Sequence, residues 1–185
     1  APLLIPARGA RRGRVAFFSG CLMPEVFGPV NAATIEVLAR NGFEVEVPAG
    51  QGCCGALHLH AGDPDAARRL HAANVAAFRL DGIDALILNS AGCGASLRDS
   101  GDDLARKVRD VTEFLAEVGL RETAALAGRP AAPPTYQLYG VPLGSLDGIL
   151  VGPGWRVRRH AVVDVKPDGV FPSDHFGVLA DLTLP

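Results

Sequence analysis

The sequence predicts an α/β fold: a Rossmann-like parallel βαβ sheet domain followed by an incomplete C-terminal β element. Three observations predict it. Strand-like and helix-like patterns alternate through the first part of the chain, one expected strand is apolar without a break, and the cysteines each fall just after an expected strand. A parallel sheet gathers ligands at the carboxyl ends of its strands, so the same placement marks where function is to be sought.

The first strand is expected from Arg14 to Ser19, where Val15, Ala16, Phe17 and Phe18 form a short apolar run. Helical periodicity then runs from Pro29 to Asn41 and stops before Gly42. Phe43 to Pro48 is the second strand, with Val45 and Val47 alternating with Glu44 and Glu46. Asp63 is a natural N-cap with Pro64 at the first helical position. Leu70, Val75, Phe78 and Leu80 give that helix its apolar face, and Asp81-Gly82 ends it. The third strand, Asp84 to Asn89, is continuously apolar at its centre, as a strand buried between helix layers must be. Helical stretches near Asp102 to Arg109 and Val111 to Val118 close the unit. The domain organisation that follows is an N-terminal arm at 1–13, the cysteine-rich sheet domain at 14–120, a linker at 121–135 and a β-rich tail at 136–185. Strands are expected in the tail over Leu146 to Val151, Trp155 to Val165 and Phe176 to Leu184. Three strands alone bury little and leave open edges, so this tail needs something to pack on.

With 185 residues and 48% hydrophobic content, the chain has material for one compact domain and an appendage, not for two full enzyme domains. Its 18 basic and 20 acidic residues give a formal charge of −2, which offers no case for nucleic-acid binding. The short clusters Arg11, Arg12, Arg14 and Arg156, Arg158, Arg159 read as solvated surface. No apolar run approaches the roughly 20 residues that cross a bilayer, and the start lacks the apolar core of a secretory signal. A cytoplasmic protein is expected.

The four cysteines are Cys21, the adjacent Cys53 and Cys54, and Cys93. They are too few for a disulfide scaffold, and the vicinal pair could bridge to each other only through a strained ring. Reduced thiolates holding a metal or an iron–sulfur cluster fit better, because segments from different strands can enclose such a site without a local CxxC. Four thiolates suffice for a cubane [4Fe–4S] cluster or for tetrahedral zinc. Core packing is the competing reading, since cysteine is among the most buried residue types. Placement at equivalent strand ends favours ligation. Gly55, Gly92 and Gly94 fit close backbone approach, with N–H groups available to sulfur. His58 and His60, four and six residues after Cys54, would favour zinc as ligands; the preferred reading leaves them as bystanders. His71 is expected at a surface or boundary position.

Phe18-Ser-Gly-Cys21-Leu, Gln51-Gly-Cys-Cys-Gly-Ala56 and Asn89-Ser-Ala-Gly-Cys-Gly94 are separated by thirty-one residues between Cys21 and Cys53 and thirty-eight between Cys54 and Cys93. This pattern resembles the cysteine-rich CCG domain found in heterodisulfide reductases and in the glycolate oxidase iron–sulfur subunit. Asn31-Ala-Ala-Thr34 and the stretch from His58 to Gly62 extend the likeness, which covers about residues 10 to 120. The resemblance implies electron transfer through an iron–sulfur cluster of [4Fe–4S] type on Cys21, Cys53, Cys54 and Cys93, with Gly55 beside it. It implies a flavin-containing dehydrogenase subunit as partner, and peripheral membrane association through the complex. Two departures stand out. The chain has a single CCG unit with no CxxCxxC ferredoxin motif and no flavin or nicotinamide fingerprint, which suggests a fragment or a stand-alone relic. The position three before Cys93 is Ser90, where the heterodisulfide reductase pattern has a further cysteine, and this argues against heterodisulfide chemistry.

The tail resembles another family. Ser145-Leu-Asp147-Gly-Ile-Leu-Val151, Pro153-Gly-Trp155 and Pro172-Ser-Asp174-His175-Phe176 look like the C-terminal end of endonuclease/exonuclease/phosphatase domains. That likeness implies a remnant site in which Asp147 orients His175 at a phosphate and Asp174 lies near a divalent ion. Nothing before residue 135 supplies the metal-binding glutamate of that fold; Asp63 in Gly62-Asp63-Pro64-Asp65 is better explained as a helix cap. Metal-dependent phosphodiesterase and zinc-stabilised interaction module are therefore the alternative functions.

Overall fold

The computed structural model describes residues 1–128, 135–138, 141–144, 148–163 and 177–183. The chain divides into two compact units, Ala1–Phe114 and Leu115–Pro185.

The first unit is built on a five-stranded sheet. Its strands β1 (Leu3–Ile5), β2 (Gly13–Phe17), β3 (Phe43–Val47), β4 (Ala85–Leu88) and β5 (Val108–Asp110) lie in the order β1-β3-β2-β4-β5. β3, β2, β4 and β5 run parallel, with Val15 beside both Val45 and Ala85; β1 pairs antiparallel to β3, Leu4 opposite Glu46. The chain winds from β2 outward to β3, then crosses over β2 to β4. The topological switch point therefore falls between β2 and β4, where an open parallel sheet leaves a crevice at its carboxyl end.

The expected strand from Asp84 to Asn89 is found as β4, all four of whose residues are buried, as its unbroken apolar run requires. Around it pack Phe18, Leu97, Leu104 and Val108. Helix α1 (Leu22–Arg40) begins about two turns before the expected start. It is bent: Phe27 leaves helical geometry at φ −126°, ψ 33°, and Pro29 follows. Proline cannot donate to the previous turn, so it opens the straight segment that the sequence periodicity marked. Helix α2 (Ala56–His60) is short, and α3 (Pro64–Ala77) starts where expected, the Asp63 carboxylate accepting the Ala66 N–H at 2.9 Å.

Two elements correct the sequence reading. Ala91–Arg98, where no helix was expected, is helix α4. The helix expected to run to Arg109 stops as α5 (Asp103–Lys107), capped by Asp102, and Val108–Asp110 becomes the edge strand β5 beside Leu86, Ile87 and Leu88. Val108 is wholly buried there, so burial of a β-branched side chain overrides the helical pattern around it. Helix α6 (Val111–Glu117) follows. Of the first basic cluster, Arg14 pairs with Glu46 at 2.8 Å and Arg11 with Glu44 at 3.3 Å, so the acids of β3 occupy them.

The second unit contains β6 (Arg121–Glu122), α7 (Thr123–Leu126), β7 (Tyr136–Leu138), β8 (Val141–Gly144), β9 (Leu150–Val151), β10 (Arg156–Val163) and β11 (Gly177–Thr183). They pair antiparallel as β6 with β9, β7 with β8 and β10 with β11, where Val162 stands opposite Val178. Thr123 Oγ1 and His160 Nδ1 meet at 2.9 Å, both residues buried. Asp147, Asp174 and His175 lie outside the described residues.

Candidate functional site

The crevice at the carboxyl end of the sheet receives all four cysteines. Cys21 is the N-cap residue of α1, just beyond β2, and is exposed. Cys53 and Cys54 close the segment after β3 and lead into α2. Cys93 lies in the first turn of α4, beyond β4. They meet as two pairs. The Cys54 thiol donates to Cys93 Sγ at 3.2 Å, and Cys21 lies near enough to Cys53 for that thiol to raise its pKa.

The first pair shares one proton unequally. The hydrogen bond from Cys54 brings the Cys93 pKa down to about 6 against the opposing effect of burial, with Ser90 assisting. The same bond, and then burial, drives the Cys54 pKa far above the ordinary thiol value. Cys93 is thus the first thiolate and Cys54 its donor. Burial, then the nearby Cys53 thiol, raises the Cys21 pKa, and the charge of Cys93 adds to it, so each pair feels the other. Four thiols in one crevice, with Cys93 already acidic, are a donor set for a soft or borderline metal.

Backbone and helix α3 fix the middle segment. Gly55 has φ +86°, and a Cβ on it would lie 3.0 Å from Ala67 Cα on α3. Only glycine meets both demands, and its N–H donates to Cys53 Sγ at 3.4 Å. Gly94 lets α4 close on the sheet, a Cβ there lying 3.0 Å from Leu88 Cδ1, whereas Gly92 faces open space. Asn74, wholly buried on α3, accepts the Gly52 N–H at 2.9 Å and donates to the Cys53 carbonyl at 2.9 Å. Sequence reasoning missed Asn74, whose partners are main-chain atoms of the Cys53 segment.

The histidines do not join the thiols. His58 and His60 are exposed on α2, and His71 is half-buried with its Nε2 2.6 Å from Asp102 Oδ2. A cleft of about 470 Å³ opens beside Cys54, bordered by Leu59, Ala67, His71 and Ser96. Among the described residues, no three His, Cys, Asp or Glu side chains are grouped to hold a metal ion as they stand. A single tetrahedral zinc with bonds of about 2.3 Å would hold its sulfurs about 3.8 Å apart around one point. The observed arrangement is one hydrogen-bonded pair, Cys54 and Cys93, closer together than that, with Cys21 and Cys53 beside it. The donor chemistry fits a thiolate-ligated group; binding requires Cys54 to lose the proton it shares with Cys93.

Fold and site together define an α/β domain with a thiol-lined crevice at its topological switch point, fed by cysteines from three separate segments. Residues 15–98 match the family of the cysteine-rich domain CCG, and this segment is a CCG domain. The chain is 45% identical over 98 residues to the "Probable glycolate oxidase iron-sulfur subunit" of Bacillus subtilis, which covers 53% of the chain and 22% of that protein. It is 41% identical over 108 residues to a fumarate reductase (CoM/CoB) subunit of Methanothermobacter marburgensis, covering 56% and 21%. It is 35% identical over 125 residues to the glycolate oxidase iron-sulfur subunit of Escherichia coli, covering 61% and 30%. The chain thus spans less than a third of the length of each of these relatives. No solved structure matches it.

Proposed function

We propose that this chain is an electron-transfer module that holds an iron–sulfur cluster, of [4Fe–4S] type, on Cys21, Cys53, Cys54 and Cys93. The observation that carries this is the delivery of four thiols from three segments into one crevice as two adjacent pairs. The relatives named as iron–sulfur subunits of glycolate oxidase support the same reading. Bound there, such a cluster supplies a one-electron relay. The residues of this chain hold it and tune it: Gly55 N–H is directed at Cys53 Sγ, and the polar main chain around Cys53 is pinned by Asn74. The electrons come from a flavin-containing dehydrogenase subunit that oxidises a 2-hydroxy acid, and this chain itself performs no substrate chemistry. Among the described residues no helix is long and apolar enough to cross a membrane, and peripheral membrane association through the complex belongs to the same proposal. A cytoplasmic location accords with a site of reduced thiols.

Anaerobic purification followed by assay of iron, zinc and acid-labile sulfide, with the visible spectrum, tests the reading. Iron matched by sulfide, with a brown chromophore lost in Cys53→Ser, is the expected result. Stoichiometric zinc without sulfide would replace it with the zinc-stabilised interaction module, for which four thiolates also suffice.

A further inference from the structure

Two side chains of the cysteine-bearing segments, Gln51 and Asn31, meet the main chain at one residue. That residue is Ser19, two residues before Cys21. Its N–H donates to Gln51 Oε1 at 2.7 Å, and its carbonyl accepts from Asn31 Nδ2 at 3.2 Å. Gln51 precedes Cys53, and its Nε2 also donates to the Phe17 and Pro48 carbonyls at 3.1 and 3.2 Å. Asn31 Oδ1 in turn accepts from Asn89 Nδ2 at 2.9 Å, and Asn89, which opens the segment leading to Cys93, donates also to Thr34 Oγ1 at 3.0 Å. The third side of the triangle is Ser96 Oγ donating to the Cys54 carbonyl at 3.4 Å.

The network has a direction. Turning the Gln51 amide over would set its oxygen against two carbonyls, and turning Asn31 over would face its NH₂ to the Asn89 NH₂ and lose the Ser19 carbonyl. Asn31 and Thr34 are nearly inaccessible to water, so a broken link there is not repaired by solvent. Each tie joins a different pair of cysteine-bearing segments, and none of them uses sulfur.

We propose that Gln51, Asn31 and Asn89 are positioning residues that clasp Ser19 to the other two cysteine-bearing segments and so preset the thiol pairs before any cluster is bound. The proposal rests on the reading of the four thiols as one ligand set. Gln51 ties the segment of Cys53 to Ser19, two residues before Cys21; the Cys54–Cys93 pair has a tie of its own, from Ser96 to the Cys54 carbonyl.

The test uses the full metal-free chain, reduced and kept anaerobic, titrated with phenylarsine oxide and read by native mass spectrometry. One arsenical bridges two adjacent thiols, the arsenic–oxygen bond giving way to two arsenic–sulfur bonds while both thiol protons leave in water. The wild type is expected to take up two arsenicals, one for each pair. Gln51→Glu keeps the size of the side chain but has no N–H for Phe17 and Pro48. It is expected to keep one site and to weaken the other about tenfold, with the far-ultraviolet spectrum retained. Peptide mapping should assign the weakened site to Cys21 and Cys53. Gln51→Met, which removes donor and acceptor without adding charge, should do the same and serves if the glutamate variant does not fold. Two equally tight sites in these variants, or fewer than two in the wild type, would overturn the clasp. Reconstitution of the same proteins with ferrous iron and sulfide separates this claim from the cluster: a wild type that takes two arsenicals but no iron refutes the iron–sulfur reading and leaves the clasp standing.

Discussion

Gly55 is held by two constraints at once, a left-handed φ and the nearness of Ala67. Gly55→Ala is expected to cost about 1–3 kcal/mol, from the backbone and from overpacking against α3. Urea unfolding checks this, and an unchanged midpoint would refute it. The unequal sharing of a proton by Cys54 and Cys93 makes a second prediction. In the reduced, metal-free chain, iodoacetamide at neutral pH should modify Cys93 before Cys54, because Cys93 is a thiolate above about pH 6. Its rate should fall as the pH is lowered through that value, and peptide mapping that finds Cys54 labelled first would contradict it. At this scale the sulfurs were legible in the sequence because each follows a strand. Asn74 and Gln51 were not, because their partners are main-chain atoms of Gly52, 22 residues away, and Phe17, 34 residues away. A contact between a side chain and a distant peptide group leaves no pattern of residue types.

Helix α5 shows how a short element depends on one residue. The Asp102 carboxylate accepts the Ala105 N–H at 2.9 Å, and also meets His71 and Ser100. Burial pushes its pKa up, but the Ala105 N–H and the His71 and Ser100 hydrogen bonds outweigh that and hold it below the ordinary 3.8. A carboxyl depressed on folding contributes stability that is fully present above its unfolded value and is lost as pH falls through its folded one. Asp102→Ala should therefore cost about 1–2 kcal/mol at pH 7, as a lost helix cap does, with the gap between variant and wild type closing below about pH 4. Urea midpoints at pH 7 and pH 3 measure both; a gap that persists in acid would show that the charge is not involved. The cap of α3 was legible from Asp63-Pro64, a local signal, whereas α4 was not. Its Gly92 and Gly94 look like turn residues, and only the closeness of Gly94 to Leu88 shows why a helix wants glycine there.

The whole chain consists of two compact units, each with its own buried residues: Leu86, Ile87 and Leu97 in the first, Ala124, Val151 and His160 in the second. Leu86→Ala, at a fully buried position of β4, is expected to destabilise the first unit by about 2–5 kcal/mol. In differential scanning calorimetry the two units should melt as separate transitions, and this variant should lower only one. A single transition that moves as a whole would argue that the units unfold together. The fold class was legible because alternating strands and helices with one continuously apolar strand admit few arrangements other than a parallel sheet. The first edge strand was not, since β1 is three residues long and gains its identity by pairing with β3. The same holds for β6, two residues long, which no periodicity can announce, whereas β9 lies at the end of the strand expected over Leu146 to Val151.

Two thiols 3.2 Å apart also have a life outside the cell. A disulfide needs its sulfurs at about 2.05 Å, so Cys54 and Cys93 are a small movement from joining once an oxidant removes two electrons. Exposure to air on the bench would then withdraw half of the four sulfurs in one event, without unfolding anything. A colourless, well-folded preparation is thus ambiguous until it has been reduced: treatment with dithiothreitol before reconstitution should restore metal uptake, and a free-thiol count before and after shows whether the loss lay in the handling or in the protein.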